Sequence, residues 1–167
     1  MRTTAVVMAI CGCAASFAAY AAGPVLPASV KKELAAMVSI CTDVGGKALA
    51  DAAVERADLN ADGKEDYVLD VGRIQCEGAA SAYGDRAKDV SVFVGDGAGG
   101  ATKAWAGLAY GSRIEGAKLW LGVSGAECGK PPAKDFASES FCDRPLAWNA
   151  GQRKFEFAPV SAVKMLQ

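Results

Sequence analysis

The chain has 167 residues, of which 51% are hydrophobic, with a formal net charge of −1 and no histidine. Without histidine, serine–histidine and cysteine–histidine catalytic pairs are excluded, as are most catalytic zinc sites. The 18 basic residues are balanced by 19 acidic ones and form no run. We therefore expect no nucleic-acid partner.

Residues 1–21 are typical of a secretory signal peptide. Arg2 gives a basic start, an apolar run follows, and the small residues near Ala21 predict cleavage there. A second interpretation makes Cys13 the acylated cysteine of a lipoprotein, although the order of Cys11 and Gly12 before it fits that signal poorly. The signal-peptide interpretation, which we favour, predicts a periplasmic or secreted protein, whereas the lipoprotein interpretation predicts that acylated Cys13 holds the protein on a membrane.

The remainder of the chain is expected to consist of a linker, residues 22–27, and a single globular domain, residues 28–167. No stretch after the predicted leader approaches the roughly 18 consecutive apolar residues of a transmembrane helix. We therefore expect no transmembrane segment in the mature chain.

One amphipathic helix is predicted at the start of this domain, from about Ala28 to Cys41, and Gly45-Gly46 is expected to end it. Its apolar positions recur at helical spacing and are Val30, Leu34, Met37, Val38 and Cys41. We expect this stripe to pack against the rest of the domain.

Beyond the helix, the hydrophobic period changes from about 3.6 residues to about 2, which predicts strands, each with one buried face. The predicted strands are residues 53–59, 67–71, 90–94, 118–123 and 155–157. Turn signals occur at residues 96–100, 111–112 and 149–151. Short strands with tight connections predict an α+β fold, mainly antiparallel β-sheet with one N-terminal amphipathic helix.

Four cysteines follow the predicted leader, namely Cys41, Cys76, Cys128 and Cys142. An even number in an exported chain indicates two disulfides. Three pairings are possible, and we favour Cys128 with Cys142 because the segment between them is typical of a long irregular loop that a bridge would tie. Cys41 would then pair with Cys76. No Cys-x-x-Cys spacing follows the leader, which argues against a redox couple.

Residues 58–66 carry oxygen-bearing side chains at alternate positions around Gly63, a pattern that suits calcium, which takes roughly six to eight oxygen ligands. The predicted ligands are Asp58, Asn60, Asp62, the carbonyl of Lys64 and Asp66. The twelfth position, where an EF-hand has a bidentate glutamate, is Leu69. We therefore expect the loop to lead into a strand and to bind calcium weakly, with a dissociation constant on the order of 10⁻⁴ to 10⁻³ M.

The run Asp-Leu-Asn-Ala-Asp-Gly-Lys-Glu-Asp-Tyr-Val-Leu and the later Val-Ser-Val-Phe-Val-Gly-Asp-Gly-Ala-Gly-Gly lie within residues 55–103. Together they resemble one FG-GAP or VCBS-type repeat. The resemblance implies a calcium loop between two strands, with ligands at Asp58, Asn60, Asp62 and Asp66. Such repeats usually occur in several copies that close a propeller; this chain has one copy, so we expect no propeller. The whole chain also resembles small secreted bacterial proteins with one such loop, which implies no activity.

An alternative interpretation of residues 58–66 needs no metal. Asp and Asn side chains accept hydrogen bonds from backbone N–H groups two residues on and close turns by themselves. Four well-spaced oxygen ligands and the position of Gly63 favour the calcium interpretation.

No residue set in the sequence predicts catalysis. The segment around Ser124 resembles a nucleophile elbow, but the chain has no histidine to act as its base. Four carboxylates could serve a small carbohydrate-active hydrolase, although their spacing selects no pair. They are Glu115, Glu127, Asp135 and Glu139.

The sequence thus favours a non-enzymatic, calcium-stabilised binding or envelope-associated module whose partner is a protein or a glycan. Two alternatives are kept. One is the carboxylate-dependent hydrolase, and the other is a secreted enzyme inhibitor that uses the Cys128–Cys142 loop.

Overall fold

The computed structural model describes residues 25–166, so the predicted signal peptide, Cys13 and the beginning of the predicted linker lie outside the described residues. None of the helices in this range has the length and hydropathy that a membrane-spanning helix requires. The main elements in chain order are α1 (Ala28–Thr42), β1 (Lys47–Leu49), β2 (Val54–Ala57), β3 (Asp66–Asp70), β4 (Gln75–Glu77), β5 (Lys88–Gly95), β6 (Ala101–Ala109), β7 (Gly111–Glu115), β8 (Lys118–Ser124), β9 (Phe141–Asn149), β10 (Lys154–Phe157) and β11 (Lys164–Met165).

The helix and two antiparallel sheets form three layers. The first sheet has the strand order β2-β3-β5-β6 and the second β10-β9-β8-β7, with β11 also pairing with β9. Helix α1 packs on the face of the first sheet that points away from the second. A separate ribbon consists of β1 and β4. The predicted α+β fold, mainly antiparallel β-sheet with one N-terminal helix, is confirmed.

The hydrophobic side chains form two cores, one on each side of the first sheet. Val68, Val92 and Leu121 belong to the core between the sheets, whereas Leu69 and Phe93 pack with the helix. Strands β3 and β5 are therefore buried on both faces. The expectation that each strand would have one buried face is wrong for these two, because the helix covers the face that would otherwise be exposed.

Helix α1 begins and ends within one residue of its predicted limits. Val30, Met37 and Cys41 are buried on its inner face. Glu33 also contacts the sheet, since its carboxylate accepts hydrogen bonds from Lys103 Nζ at 2.6 Å and from Ser91 Oγ at 3.1 Å. The hydrogen bond from Lys103 holds the pKa of Glu33 below its ordinary value, against the opposing effect of burial.

Several strands were not predicted, namely β1, β4, β6, β7, β9 and β11. The turn predicted at residues 111–112 is wrong, because Gly111 and Ser112 begin β7. Only Tyr110 separates β6 in the first sheet from β7 in the second, so the chain passes between the sheets at this point. The Gly-Ser signal marks a change of sheet.

Both favoured disulfides are present. Cys41 bonds Cys76 with a Cα–Cα distance of 5.7 Å, and Cys128 bonds Cys142 with a Cα–Cα distance of 5.8 Å. The first bridge joins the end of α1 to β4, and the second joins the segment after β8 to the start of β9. The segment between Cys128 and Cys142 contains only short 3-10 turns before β9, in agreement with the predicted irregular loop.

Gly46 lies against the Cys41–Cys76 bridge. A Cβ atom at this position would lie 2.4 Å from Cys76 Sγ and 2.8 Å from Cys41 Sγ, closer than non-bonded atoms approach. Gly46→Ala is therefore expected to lower the free energy of unfolding by about 1–3 kcal/mol, since the bridge or the backbone must move. Urea unfolding measures this loss.

The matched control for Gly46→Ala is Gly111→Ala. A Cβ atom on Gly111 would have no neighbour within 4 Å, and the backbone there suits any residue, so this substitution should leave stability almost unchanged. Equal effects of the two substitutions would show that contact with the bridge is not the cause.

Candidate functional site

The acidic loop, residues 58–65, connects β2 to β3. These strands pair in antiparallel fashion from Val54 opposite Leu69 to Ala57 opposite Asp66. The loop thus joins two strands of one sheet, and Leu69 lies in a strand, as predicted. Gly63 has φ +78°, a left-handed conformation that glycine adopts without strain, which accounts for a glycine at this position.

The predicted ligand side chains on the loop point inward to its backbone. Asp58 Oδ1 accepts from the N–H of Asp62 at 3.1 Å, and Asn60 Oδ1 accepts from the same N–H at 3.0 Å. Asp58 Oδ2 accepts from Gly63 N at 2.8 Å. The side-chain oxygens of Asp58 and Asn60 therefore converge on one backbone nitrogen.

Asp62 and Lys64 lie on the outer part of the loop, where both are exposed. Asp62 Oδ1 accepts from Lys64 N at 3.0 Å, and its Oδ2 lies 3.5 Å from Lys64 Nζ. Desolvation raises the pKa of Asp62, but the hydrogen bond from the Lys64 backbone and the charge of Lys64 outweigh it, so the net shift is downward.

Asp66 differs from the other predicted ligands because its side chain is 0% exposed. Its two oxygens accept from Leu59 N at 2.9 Å and from Gly95 N at 3.1 Å. Burial raises the pKa of Asp66 above its ordinary value, the two N–H groups act in the opposite direction, and the charges of Asp62 and Asp58 raise it further. Asp66 thus ties the acidic loop to the end of β5.

The structure brings Asp58, Asn60 and Asp62 together in one tight loop and places Asp66 beneath it. Within residues 25–166, no three side chains of His, Cys, Asp or Glu are arranged to hold a metal ion. An ion in the loop would therefore also need the amide oxygen of Asn60 and the carbonyl of Lys64. The same hydrogen bonds would close the turn without an ion, so the calcium site stays a prediction.

A groove with a volume of about 530 Å³, called here the loop-side groove, lies beside the acidic loop. Val94 and Ala104 contribute apolar surface from β5 and β6. Its polar and aromatic lining consists of Asn60, Asp62, Lys64, Asp96, Thr102, Trp148 and Arg153. The groove thus combines the acidic loop, the first sheet and the β9–β10 hairpin.

Asp96 and Arg153 stand out in the loop-side groove. Asp96 Oδ1 accepts from Ala98 N at 2.7 Å and from Gly100 N at 2.9 Å, and these bonds lower the pKa of Asp96. Arg153 has φ +53°, a conformation that is costly for a residue with a side chain. The sequence identified both neighbouring segments only as turns, and no sequence signal marks Arg153, because glycine or asparagine is usual at such a position.

Comparison with known proteins identifies no relative of this chain. No family model, curated protein or solved structure matches the chain. The similarity to an FG-GAP or VCBS-type repeat therefore stays a prediction that rests on the loop motif.

The four carboxylates considered for hydrolysis are each held by a partner of their own. The contacts are Glu115 with Arg113 at 2.8 Å and Lys164 at 3.0 Å, Glu127 with Arg144 at 2.7 Å, Asp135 with Ser138 N at 2.9 Å, and Glu139 with Ser124 Oγ at 2.6 Å. In the described part of the chain, no hydrogen bond couples any two of these carboxylates.

Proposed function

We propose that the chain is an exported, non-enzymatic binding module whose acidic loop takes up calcium, and that the ion fixes the β2–β3 hairpin. The partner would be a protein or a glycan of the cell envelope or its surroundings. The two disulfides support folding in an oxidising compartment, since such bridges are rare in the reducing cytosol.

The observation that carries this proposal is the convergence of Asp58 Oδ1 and Asn60 Oδ1 on Asp62 N, at 3.1 Å and 3.0 Å. It holds two hard oxygen atoms close together on the inner side of the loop. Each of these two oxygens retains a lone pair, because a carboxylate or amide oxygen can accept two hydrogen bonds and each accepts only one here. These lone pairs suit a hard cation.

The charge of the loop also supports an ion. Asp58, Asp62 and the buried Asp66 repel one another, and Lys64 is the only basic side chain between Asp58 and Asp66. A divalent cation would offset this repulsion and stabilise the hairpin. We expect weak binding, because no carboxylate occupies the twelfth position.

The calcium proposal predicts an ion-dependent effect of Asp62→Asn. Asparagine keeps an oxygen that can accept from Lys64 N, but it removes an anionic ligand. In millimolar calcium, Asp62→Asn should lower the thermal midpoint by several degrees, because a bound ion stabilises only the folded state. With a chelator, the variant and the original protein should unfold at nearly the same temperature.

The control for Asp62→Asn is Asp135→Asn. The Asp135 carboxylate also accepts a hydrogen bond from a backbone N–H three residues on, that of Ser138 at 2.9 Å, but Asp135 lies in another loop. Its substitution should have the same effect with calcium and with chelator. If Asp62→Asn behaves in this way too, the loop is a hydrogen-bonded turn without an ion.

One observation favours the inhibitor as a second candidate function. Most side chains of residues 129–140 are exposed, and Phe136 leaves 46% of its surface exposed on a loop that the Cys128–Cys142 bridge ties at both ends. An exposed aromatic side chain on a constrained loop is a suitable anchor for a cleft. Phe136 also packs against Phe141, with ring centroids 5.8 Å apart, so part of its surface is already used in the fold.

A further inference from the structure

The loop-side groove is the most complete constellation of recognition groups in residues 25–166, and it includes Asn60, Asp62 and Lys64 of the acidic loop. We propose that it binds a short neutral oligosaccharide. This inference deepens the proposed binding function and rests on it. It assigns the ligand to a glycan and the contact surface to the groove between the acidic loop and the β9–β10 hairpin.

The size and lining of the groove fit a chain of sugar units. A volume of about 530 Å³ lies within the range of small-molecule sites, roughly 300–1,000 Å³. Trp148 is half-buried and provides an aromatic wall, against which the apolar C–H face of a sugar ring can pack. Its ring rests on Phe155, with centroids 5.0 Å apart, so the wall has a fixed position.

The charges of the groove favour a neutral ligand. Two carboxylates, Asp62 and Asp96, are balanced by two basic side chains, Lys64 and Arg153. The lining therefore has no net charge with which to select an anion or a cation. It offers both donors and acceptors, and a sugar hydroxyl is the group that donates and accepts at once.

Two side chains of the groove have their hydrogen-bonding groups free. Across residues 25–166, neither the Thr102 hydroxyl nor the Arg153 guanidinium has a hydrogen-bond or ion-pair partner. Arg153 keeps a side chain at φ +53°, where glycine would be less strained. A left-handed residue also closes hairpin turns such as the one between β9 and β10, so the binding role rests on the free guanidinium and its position in the groove.

The experiment measures the binding of defined hexasaccharides by isothermal titration calorimetry. The neutral probes are hexamers of glucose (β-1,4 and α-1,4), xylose, mannose and N-acetylglucosamine, and the charged comparators are hexamers of galacturonic acid and glucosamine. We expect at least one neutral hexamer to bind in the micromolar to millimolar range and to bind more tightly than both charged ones. The inference is wrong if no neutral hexamer binds at millimolar concentration, or if a charged hexamer binds more tightly than every neutral one.

Variants separate a role in recognition from a role in folding. Arg153→Gly should lower the affinity about tenfold while leaving the thermal midpoint unchanged or higher, because glycine relieves the strain at this position. Trp148→Ala should abolish binding, but it also removes a packing contact with Phe155, so this variant alone does not separate recognition from folding. The Arg153→Gly variant is therefore the deciding test of a role in recognition. Lys154→Ala is the matched control: it removes the neighbouring exposed charge and should leave binding unchanged. Unaltered binding by Arg153→Gly would overturn the inference.

The same titrations are repeated with calcium and with chelator. Trp148, Thr102 and Arg153 do not belong to the acidic loop, so a hexasaccharide should bind in both conditions, and more tightly with calcium if the ion orders Asn60 and Asp62. If calcium does not stabilise the protein, the calcium proposal is wrong, but measured saccharide binding still supports the groove inference. If no saccharide binds, the groove inference is wrong, but a calcium-dependent effect of Asp62→Asn on the thermal midpoint still supports the calcium proposal.

Discussion

Asp66→Ala is expected to lower the free energy of unfolding by about 3–5 kcal/mol, because it leaves two buried N–H groups without an acceptor. The carboxylate is 0% exposed and accepts from Leu59 N and Gly95 N. Each unsatisfied buried donor costs roughly 1–3 kcal/mol, and water cannot reach the site without opening the loop. Urea unfolding with and without calcium measures the loss.

Two further substitutions define the cause of the Asp66 effect. Asp66→Asn keeps one acceptor oxygen but turns an amide NH₂ toward the other N–H, so its loss should be intermediate. Glu65→Ala is the neighbouring control: its exposed carboxylate lies 3.8 Å from Arg56, and it should cost less than about 1 kcal/mol. The loss from Asp66→Ala should persist in chelator, because the two hydrogen bonds need no ion. A loss that disappears in chelator would instead make Asp66 chiefly an ion ligand.

The double substitution Cys41→Ala and Cys76→Ala is expected to cost about 3–4 kcal/mol. In the chain-entropy model, a bridge across 35 residues removes that much conformational freedom from the unfolded state. The bridge also attaches α1 to the β1–β4 ribbon. Urea unfolding of the oxidised protein and of this variant gives the difference.

The Cys128–Cys142 bridge is the comparison for this effect. Its 14-residue separation predicts a smaller loss, about 3 kcal/mol, when both cysteines are replaced by alanine. A strong reductant should destabilise the original protein by more than either double substitution. A loss below about 1 kcal/mol for Cys41→Ala with Cys76→Ala would show that the unfolded chain is already compact around residues 41–76.

The fold class could be predicted because α1, β3, β5 and β8 have strong periodic patterns. β6 escaped prediction because its side chains are mostly small, as in Ala104 and Gly107, so hydrophobic and polar positions scarcely differ. β9 escaped because Arg144 and Pro145 interrupt its apolar run. In both cases, the position in the sheet comes from tertiary pairing with neighbouring strands and not from local preference.

The candidate site was only partly predictable from the sequence. The acidic loop was found because its oxygen-bearing residues are close together in the chain, and the structure adds that Asp66 is a buried acceptor for Gly95. The loop-side groove could not be found, because Thr102, Trp148 and Arg153 come from separate strands and a hairpin. Antiparallel pairing and packing of the two sheets bring these residues together, and nothing in their spacing indicates it.

The Cys41–Cys76 bridge encloses the acidic loop, β2 and β3 within a covalent ring of the chain. A protease that cut the exposed segment between Asp62 and Glu65 would therefore leave both fragments attached to each other. The cleaved hairpin could reassemble at the effective concentration that this tether maintains. If the protein is exported, as we propose, this ring allows the loop to remain exposed without a single cut releasing half of the molecule.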